Sequence, residues 1–276
     1  MADETSKYAN LLNYLEKQNA DIEKRKKPKK VKVEIMDATG DTIRSYTTRI
    51  DTAMTRFSWN MRHDGVRWPS RRPVKPDDNV PSGYDALPGT YKMVLTYGDL
   101  KDSTTITVKA DPRVEMSMAN RKAVQNSLKE YYKVIEVANE GWKQIGEARK
   151  TMKRVDAALA NVPDSLKTEV KDLGKAIQDS LATLEKMYMS PAKQKGIQRN
   201  PDELTSKLWP VMRYLRDSDG APSQSAQILL RDLKQDMNEV LDKINGLMEK
   251  DFKEYQKAVE QVQYSLFKEY DEIRLD

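Results

Sequence analysis

The chain's one histidine, His63, stands beside Asp64, the pairing that a Ser-His-Asp relay or a one-histidine metal site would use. Either chemistry draws on several convergent groups, and this sequence has no cysteine, no HExxH and no second histidine to complete one. The absence of cysteine also excludes a thiol nucleophile, a thiolate metal site and a disulfide framework. Carboxylates are plentiful, and a glycosidase needs only two. Those beyond residue 111, however, fall on the polar sides of helix-periodic segments, where solvation already accounts for them. Glycines are scattered, without GxGxxG or GxxxxGK[ST] to bring backbone amides against a phosphate. The expectation is a chain with no catalytic residues, no cofactor and no metal.

Recognition chemistry has more candidates. Trp59, Trp68, Tyr84, Tyr91 and Tyr97 are the aromatic residues that could stack on a sugar. Trp59, Tyr91 and Tyr97 lie on strand-like segments and are expected in a core. Trp68 and Tyr84 lie in a proline-rich stretch, Val66 to Pro88, with Arg71, Arg72 and Lys75 as a basic rim. A large apolar side chain in such a loop either folds back or meets a partner, so Trp68, Tyr84, Arg71 and Arg72 are the contact candidates. The basic run Lys24, Arg25, Lys26, Lys27, Lys29 and Lys30 could attract nucleic acid or an anionic surface. Pro28 interrupts it and no aromatic residue within it can stack on bases, so a solvated linker is the expected role.

The elements that must position these residues divide the chain in two. Its 276 residues exceed the usual size of one domain, and 33% are charged, which suits thin layers and water-exposed helices. The net charge of +5 sits in the first part: 20 Lys and Arg against 15 Asp and Glu precede residue 111, and 28 of each follow. No apolar window is long enough to span a membrane, and the polar start MADETSK does not read as a signal peptide. A soluble chain is expected, or a piece of a longer exported one.

Residues 1–29 read as a helix or basic linker. Tyr8, Leu11, Leu12 and Leu15 share a helical face, and the alternative is a strand ending at Tyr14-Leu15. From residue 30 to 111 the period is two. Val31, Val33 and Ile35 alternate with polar neighbours, Asp37–Gly40 supply a turn, and Thr42–Ile50 return with Tyr46, Thr48 and Ile50 on one face. Arg56–Met61, centred on Phe57 and Trp59, reads as a third strand; Tyr91–Tyr97 and Thr104–Val108 complete the set. Short strands joined by turns indicate an Ig-like antiparallel β-sandwich.

Residues 112–276 switch to helical spacing. Val124, Leu128, Tyr131, Ile135, Ala138, Trp142, Ile145, Met152, Val155 and Leu159 form the seam of a long helix capped by Ser117. A second helix carries Leu166 to Tyr188 behind Asp164 as N-cap. Asn200-Pro201-Asp202-Glu203 predicts a third start, with Asn200 as cap and Pro201 in the first position, and Pro210 predicts a kink inside it. A fourth helix opens at Pro222-Ser223 with Leu229, Leu233, Met237, Val240, Ile244, Met248, Tyr255, Val259, Val262 and Leu266. Short connections predict an up-and-down bundle of long helices. Its overhanging ends would offer Met237, Met248, Phe252 and Tyr255 for self-association.

Two stretches are familiar in combination: Arg56-Phe57-Ser58-Trp59-Asn60-Met61-Arg62, and Leu87-Pro88-Gly89-Thr90-Tyr91 with Ala110-Asp111-Pro112-Arg113 after its strand. They resemble the C-terminal region of bacterial exported sortilin-like β-propeller proteins, often labelled BNR-repeat glycosyl hydrolases. There an Ig-like sandwich with a W-[DN]-x-R strand and a PGTY strand precedes a helical tail. Leu204–Trp209 and Asp219–Ser223 are similar to that tail. Any hydrolase activity that the label implies would belong to the propeller, which residues 1–276 do not include, so no catalytic residue carries over. The resemblance implies an accessory module in a periplasmic or extracellular protein, with an upstream propeller domain or another protein as partner. A carbohydrate-binding accessory module is the alternative, with a glycan as ligand.

Overall fold

The computed structural model describes residues 14–18, 30–50, 54–191 and 200–262. Residues 14–18 are helical, against the strand alternative for Tyr14-Leu15. The rest of the predicted N-terminal segment, and the basic run apart from Lys30, lie outside the described residues. The described chain divides into two compact units. One holds the residues up to Gly65 together with Asp77–Asp111, and the other holds Val66–Pro76 together with the residues from Pro112 onward. The proline-rich stretch is thus shared, its first part belonging with the helices.

The first unit is built on a four-stranded antiparallel sheet in the order β2-β1-β5-β6, with β1 at Lys30–Met36, β2 at Thr42–Arg49, β5 at Gly89–Tyr97 and β6 at Leu100–Val108. A second, two-stranded sheet pairs β3, Arg62–Asp64, with β4, Ser82–Asp85. Period-two alternation puts Val31, Val33 and Ile35 on one face of β1, and their cross-strand neighbours Tyr46, Met93 and Leu95 extend that face. The Asp37–Gly40 turn forms as the sequence predicts: the Asp37 carboxylate accepts from the amides of Thr39 and Asp41 at 3.0 Å, and Gly40 takes φ +89°. Those donated hydrogen bonds, led by the Thr39 hydroxyl, hold the Asp37 carboxyl below its usual range.

Three expectations for this unit fail. Arg56–Met61 is not a strand. Phe57 and Trp59 pack on the sheet's core face, Trp59 donates from its indole to the Arg62 carbonyl at 2.9 Å, and Met61 takes φ +57°, which breaks the extended run just before β3. The stretch to Pro88 is not all loop, because Ser82–Asp85 forms β4. Its pairing needs two glycines: a Cβ on Gly65 or Gly83 would stand 2.7 or 2.5 Å from the opposing backbone. Tyr97 is not core, since it ends β5 at the hairpin and is exposed. Tyr91 is core, with its ring edge-on to Trp59 at 5.2 Å.

The second unit is helical: α1 at Met118–Ala158, α2 at Asp164–Tyr188, α3 at Leu204–Arg216, α4 at Gln224–Gly246 and α5 at Phe252–Gln261. Ser117 and Ser223 cap α1 and α4, their hydroxyls accepting from the Asn120 and Ala226 amides. Ion pairs tie α1 to α2 through Arg149 and Glu185, α3 to α4 through Lys207 and Asp236 at 2.7 Å, and α4 to α1 through Lys234 and Glu130 at 2.5 Å.

Two predicted caps move. Pro163 occupies the N-cap of α2, and Asp164 is its first residue, where its carboxylate pairs with Lys171 at 2.7 Å. α3 starts three residues later than predicted. Asn200 closes a small turn onto the Asp202 amide, and Glu203, buried and bonded to the Ser190 hydroxyl, takes the cap position. α3 continues through Pro210.

The largest departure is in the last helix, which is interrupted by a π-helical turn at Leu247–Asp251. Leu233, Val240 and Leu247 are buried at intervals of seven, so an unbroken α-helix would bring Glu254 next and Asp251 beside it. A π turn adds one residue to the cycle. It therefore turns Tyr255 and Phe252 inward and leaves Asp251, Glu254 and Lys253 to water. Tyr255 is a core residue as a result, and Met237 is buried on the regular stripe of α4 before the π turn, so neither is the exposed helix end that the sequence reading offers for self-association; Leu230 takes the buried place expected for Leu229.

Candidate functional site

Segment Val66–Pro76 lies on the helical unit as a strap. Trp142, at the middle of α1, donates from its indole nitrogen to the Ser70 carbonyl at 2.9 Å. The Arg71 guanidinium stands over the same indole, 5.7 Å from the ring centre, and reaches the Met189 carbonyl at 3.4 Å. Behind the indole sits Tyr188, with its ring 5.4 Å away. Pro69 is buried and Trp68 half-buried, while Arg72 keeps its side chain in water and ties its amide to the Ser70 hydroxyl at 3.1 Å. Of the contact candidates on this segment, Arg71 is engaged with the helices and Arg72 faces solvent.

Tyr84 belongs to the sheet unit. It is half-buried on β4 and stacks on His63, with ring centres 4.5 Å apart and planes at 26°. Neighbours on a strand face opposite sides, and Asp64 turns its carboxylate to Arg44, at 2.7 Å, and to the Ser45 amide, at 3.1 Å. The His63-Asp64 adjacency is a feature of the chain order, with the two side chains sent to different partners. Arg44, which sequence reading passed over, is the buried charge of this unit. It lies across from Ile35 on the core face and satisfies its guanidinium on Asp64 and on the carbonyls of Val80 and Pro81, both at 2.9 Å.

A second site was also missed. The apolar stripe of α3 is Leu204, Leu208, Val211 and Leu215, and these four are buried. Trp209 and Tyr214 fall off that stripe and are 58% and 54% exposed. They line an open hollow of about 610 Å³ with Pro210, Arg213, Asp217, Ser218 and, at the start of α4, Ser223. The signal was in the spacing: a tryptophan one position out of register with a four-three-four stripe must face outward.

Among the described residues no group of three or more His, Asp or Glu is placed to hold a metal ion, and no helix is long and apolar enough to cross a membrane. Burial raises the hydroxyl pKa of Tyr131, Tyr188 and Tyr255 above the ordinary tyrosine value, with the nearby Asp156 charge adding to it at Tyr255. These tyrosines are neutral packing groups at any physiological pH. No protein-family description matches the sequence, and neither the curated proteins nor the solved structures yield a match.

Proposed function

We propose that this chain is a non-catalytic structural and protein-interaction module, the C-terminal accessory part of a larger exported sortilin-like propeller protein. In this reading its partner is the upstream propeller domain or another protein, in the periplasm or outside the cell. The finer architecture belongs to the same proposal: β1 to β6 as the two layers of an Ig-like sandwich, and α1 to α5 as an up-and-down bundle. Packing of Phe57, Trp59 and Ala86 from around β3 and β4 onto the face of the larger sheet supports the first. The interlocking ion pairs among α1, α2, α3 and α4 support the second.

The observation that carries the interaction role is the β6 edge. This strand of nine residues pairs with β5 in unbroken register and, among the described residues, has no neighbour on its other side. It contains no proline, and Leu100 at its start is 71% exposed. Long unprotected edges are places where another strand adds on. Hydrogen exchange on the protein purified from its source, with its natural partner bound, should show the Thr104–Val108 amides slowed, and Thr105→Pro should weaken that complex. Sequencing the reading frame upstream should show propeller repeats. A reproducible hydrolytic activity lost on His63→Ala would sink the non-catalytic reading.

A further inference from the structure

We propose that the hollow on α3 is a binding site for a neutral oligosaccharide, with Trp209 and Tyr214 as stacking surfaces. Four observations point the same way and are independent of the β6 edge. First, the two aromatic rings are solvent-facing on a helix whose apolar stripe, Leu204, Leu208, Val211 and Leu215, is already buried, so they are not needed by the core. A tryptophan face is large, flat and electron-rich, and it suits the C–H face of a sugar ring. Second, the hollow has the size of a small-ligand site, with Trp209, Pro210 and Tyr214 as its apolar part and Arg213, Asp217, Ser218 and Ser223 as its polar part. The Pro210 ring is exposed beside Trp209.

Third, the charges cancel. Arg213 and Asp217 are the charged groups of the lining, and they face each other at 3.5 Å, one turn apart on the helix. An anionic ligand would be repelled by Asp217 and a cationic one by Arg213. A ligand with neutral hydroxyls can accept from the guanidinium and donate to the carboxylate at once. Ser223 adds a third polar contact, because its oxygen accepts from the Ala226 amide as a helix cap and its proton is left to donate. Fourth, Trp209 and Tyr214 are five residues apart, about 7.5 Å along the helix axis. A ligand touching both must be longer than one pyranose ring.

The test uses the full chain, with isothermal calorimetry and tryptophan fluorescence against cellohexaose, maltohexaose, mannohexaose and xylohexaose, and with glucose as the monomer control. At least one hexasaccharide should bind and quench fluorescence, with glucose at least tenfold weaker. Trp209→Ala and Tyr214→Ala should each weaken binding tenfold or more, and Trp209→Phe should fall between wild type and Trp209→Ala. Leu166→Ser, an exposed position on α2, should leave affinity unchanged. If none of the four hexasaccharides binds at millimolar concentration, the proposal is wrong. It is equally wrong if Trp209→Ala and Tyr214→Ala both bind like wild type. Tighter, salt-sensitive binding of a heparin hexasaccharide, or binding of decaproline in place of sugars through Trp209, would also overturn it.

Discussion

Gly141 lies against the hydroxyl of Tyr188, so close that a Cβ on the glycine would overlap the phenolic oxygen and stand 3.1 Å from Ile244. α1 therefore carries a glycine in its interior, despite the helix-propensity cost, because α2 sends a tyrosine into it. The same arrangement recurs more loosely at Gly174 of α2, where the Tyr255 ring is 3.4 Å from the Cβ position. Two glycines thus admit the tyrosines that end α2 and fill α5.

This predicts opposite outcomes for the same substitution at two sites of α1. Gly141→Ala should lower stability by about 1–3 kcal/mol through overpacking. Gly146→Ala, where nothing lies within 4 Å of the added carbon, should raise it by roughly 0.5–1 kcal/mol through the lost chain freedom of the unfolded state. Urea denaturation followed by circular dichroism separates the two, and equal effects would contradict the packing.

Among the described residues the buried hydroxyls of Tyr188 and Tyr255 have no hydrogen-bond partner, whereas that of Tyr131 donates to the Leu208 carbonyl at 3.0 Å. Tyr188→Phe and Tyr255→Phe should then be neutral or stabilising by about 1 kcal/mol, since an unsatisfied polar group is removed. Tyr131→Phe should cost about 1 kcal/mol. Chemical denaturation of the three variants checks the ordering.

Alkali should act on the same three residues. Their pKa values in the folded protein lie above those of the unfolded chain, because burial opposes the phenolate. The unfolded state therefore loses its protons first. Stability is full below the ordinary tyrosine pKa of about 10 and falls as pH rises from there toward the folded values. Melting temperature followed by circular dichroism should drop above that pH, and less steeply in the triple phenylalanine variant.

Arg44 holds a carboxylate and two carbonyls, and its removal leaves Asp64 partly buried without its cation. Arg44→Met should destabilise the sheet unit by about 3 kcal/mol, and Arg44→Lys should recover only part, since the three acceptors meet at the Arg44 Nη1 position, which the shorter lysine side chain does not reach in full. A thermal melt monitored on the sheet's circular dichroism signal, with no loss in Arg44→Met, would show that the cluster contributes nothing.

Deleting Glu249 should cost little more than replacing it with Ala. The deletion removes the extra residue of the π turn, so Leu247 and Tyr255 stand seven positions apart and an unbroken α-helix still turns Tyr255 and Phe252 into the seam. Glu249→Ala leaves the register alone. Comparing the two by thermal melting tests whether the π turn sets the phase of α5.

The strands of the four-stranded sheet and the helices could be read from the order of residues, because periods of two and of roughly three and a half record which face meets apolar neighbours. Ser117 was legible as a cap and Pro222-Ser223 as a helix start, since a hydroxyl before a helix acts on amides only two or three residues away. The short sheet was not. β3 and β4 are brief, and what places them is Arg44 reaching for Asp64 and two carbonyls far along the chain.

The candidate site was half legible. Trp68, Tyr84, Arg71 and Arg72 were singled out because large or charged residues in a proline-rich stretch need an explanation. Whether such a residue folds back depends on a partner elsewhere, and for Arg71 that partner is Trp142 of α1. Trp209 and Tyr214 carried a signal in their spacing against the stripe of α3, but the hollow they line needed the fold. Local chemistry and periodicity are short-range and are carried by neighbouring residues. The strap, the glycine notches, the phase of the last helix and the hollow on α3 all depend on side chains that only the folded chain brings within reach.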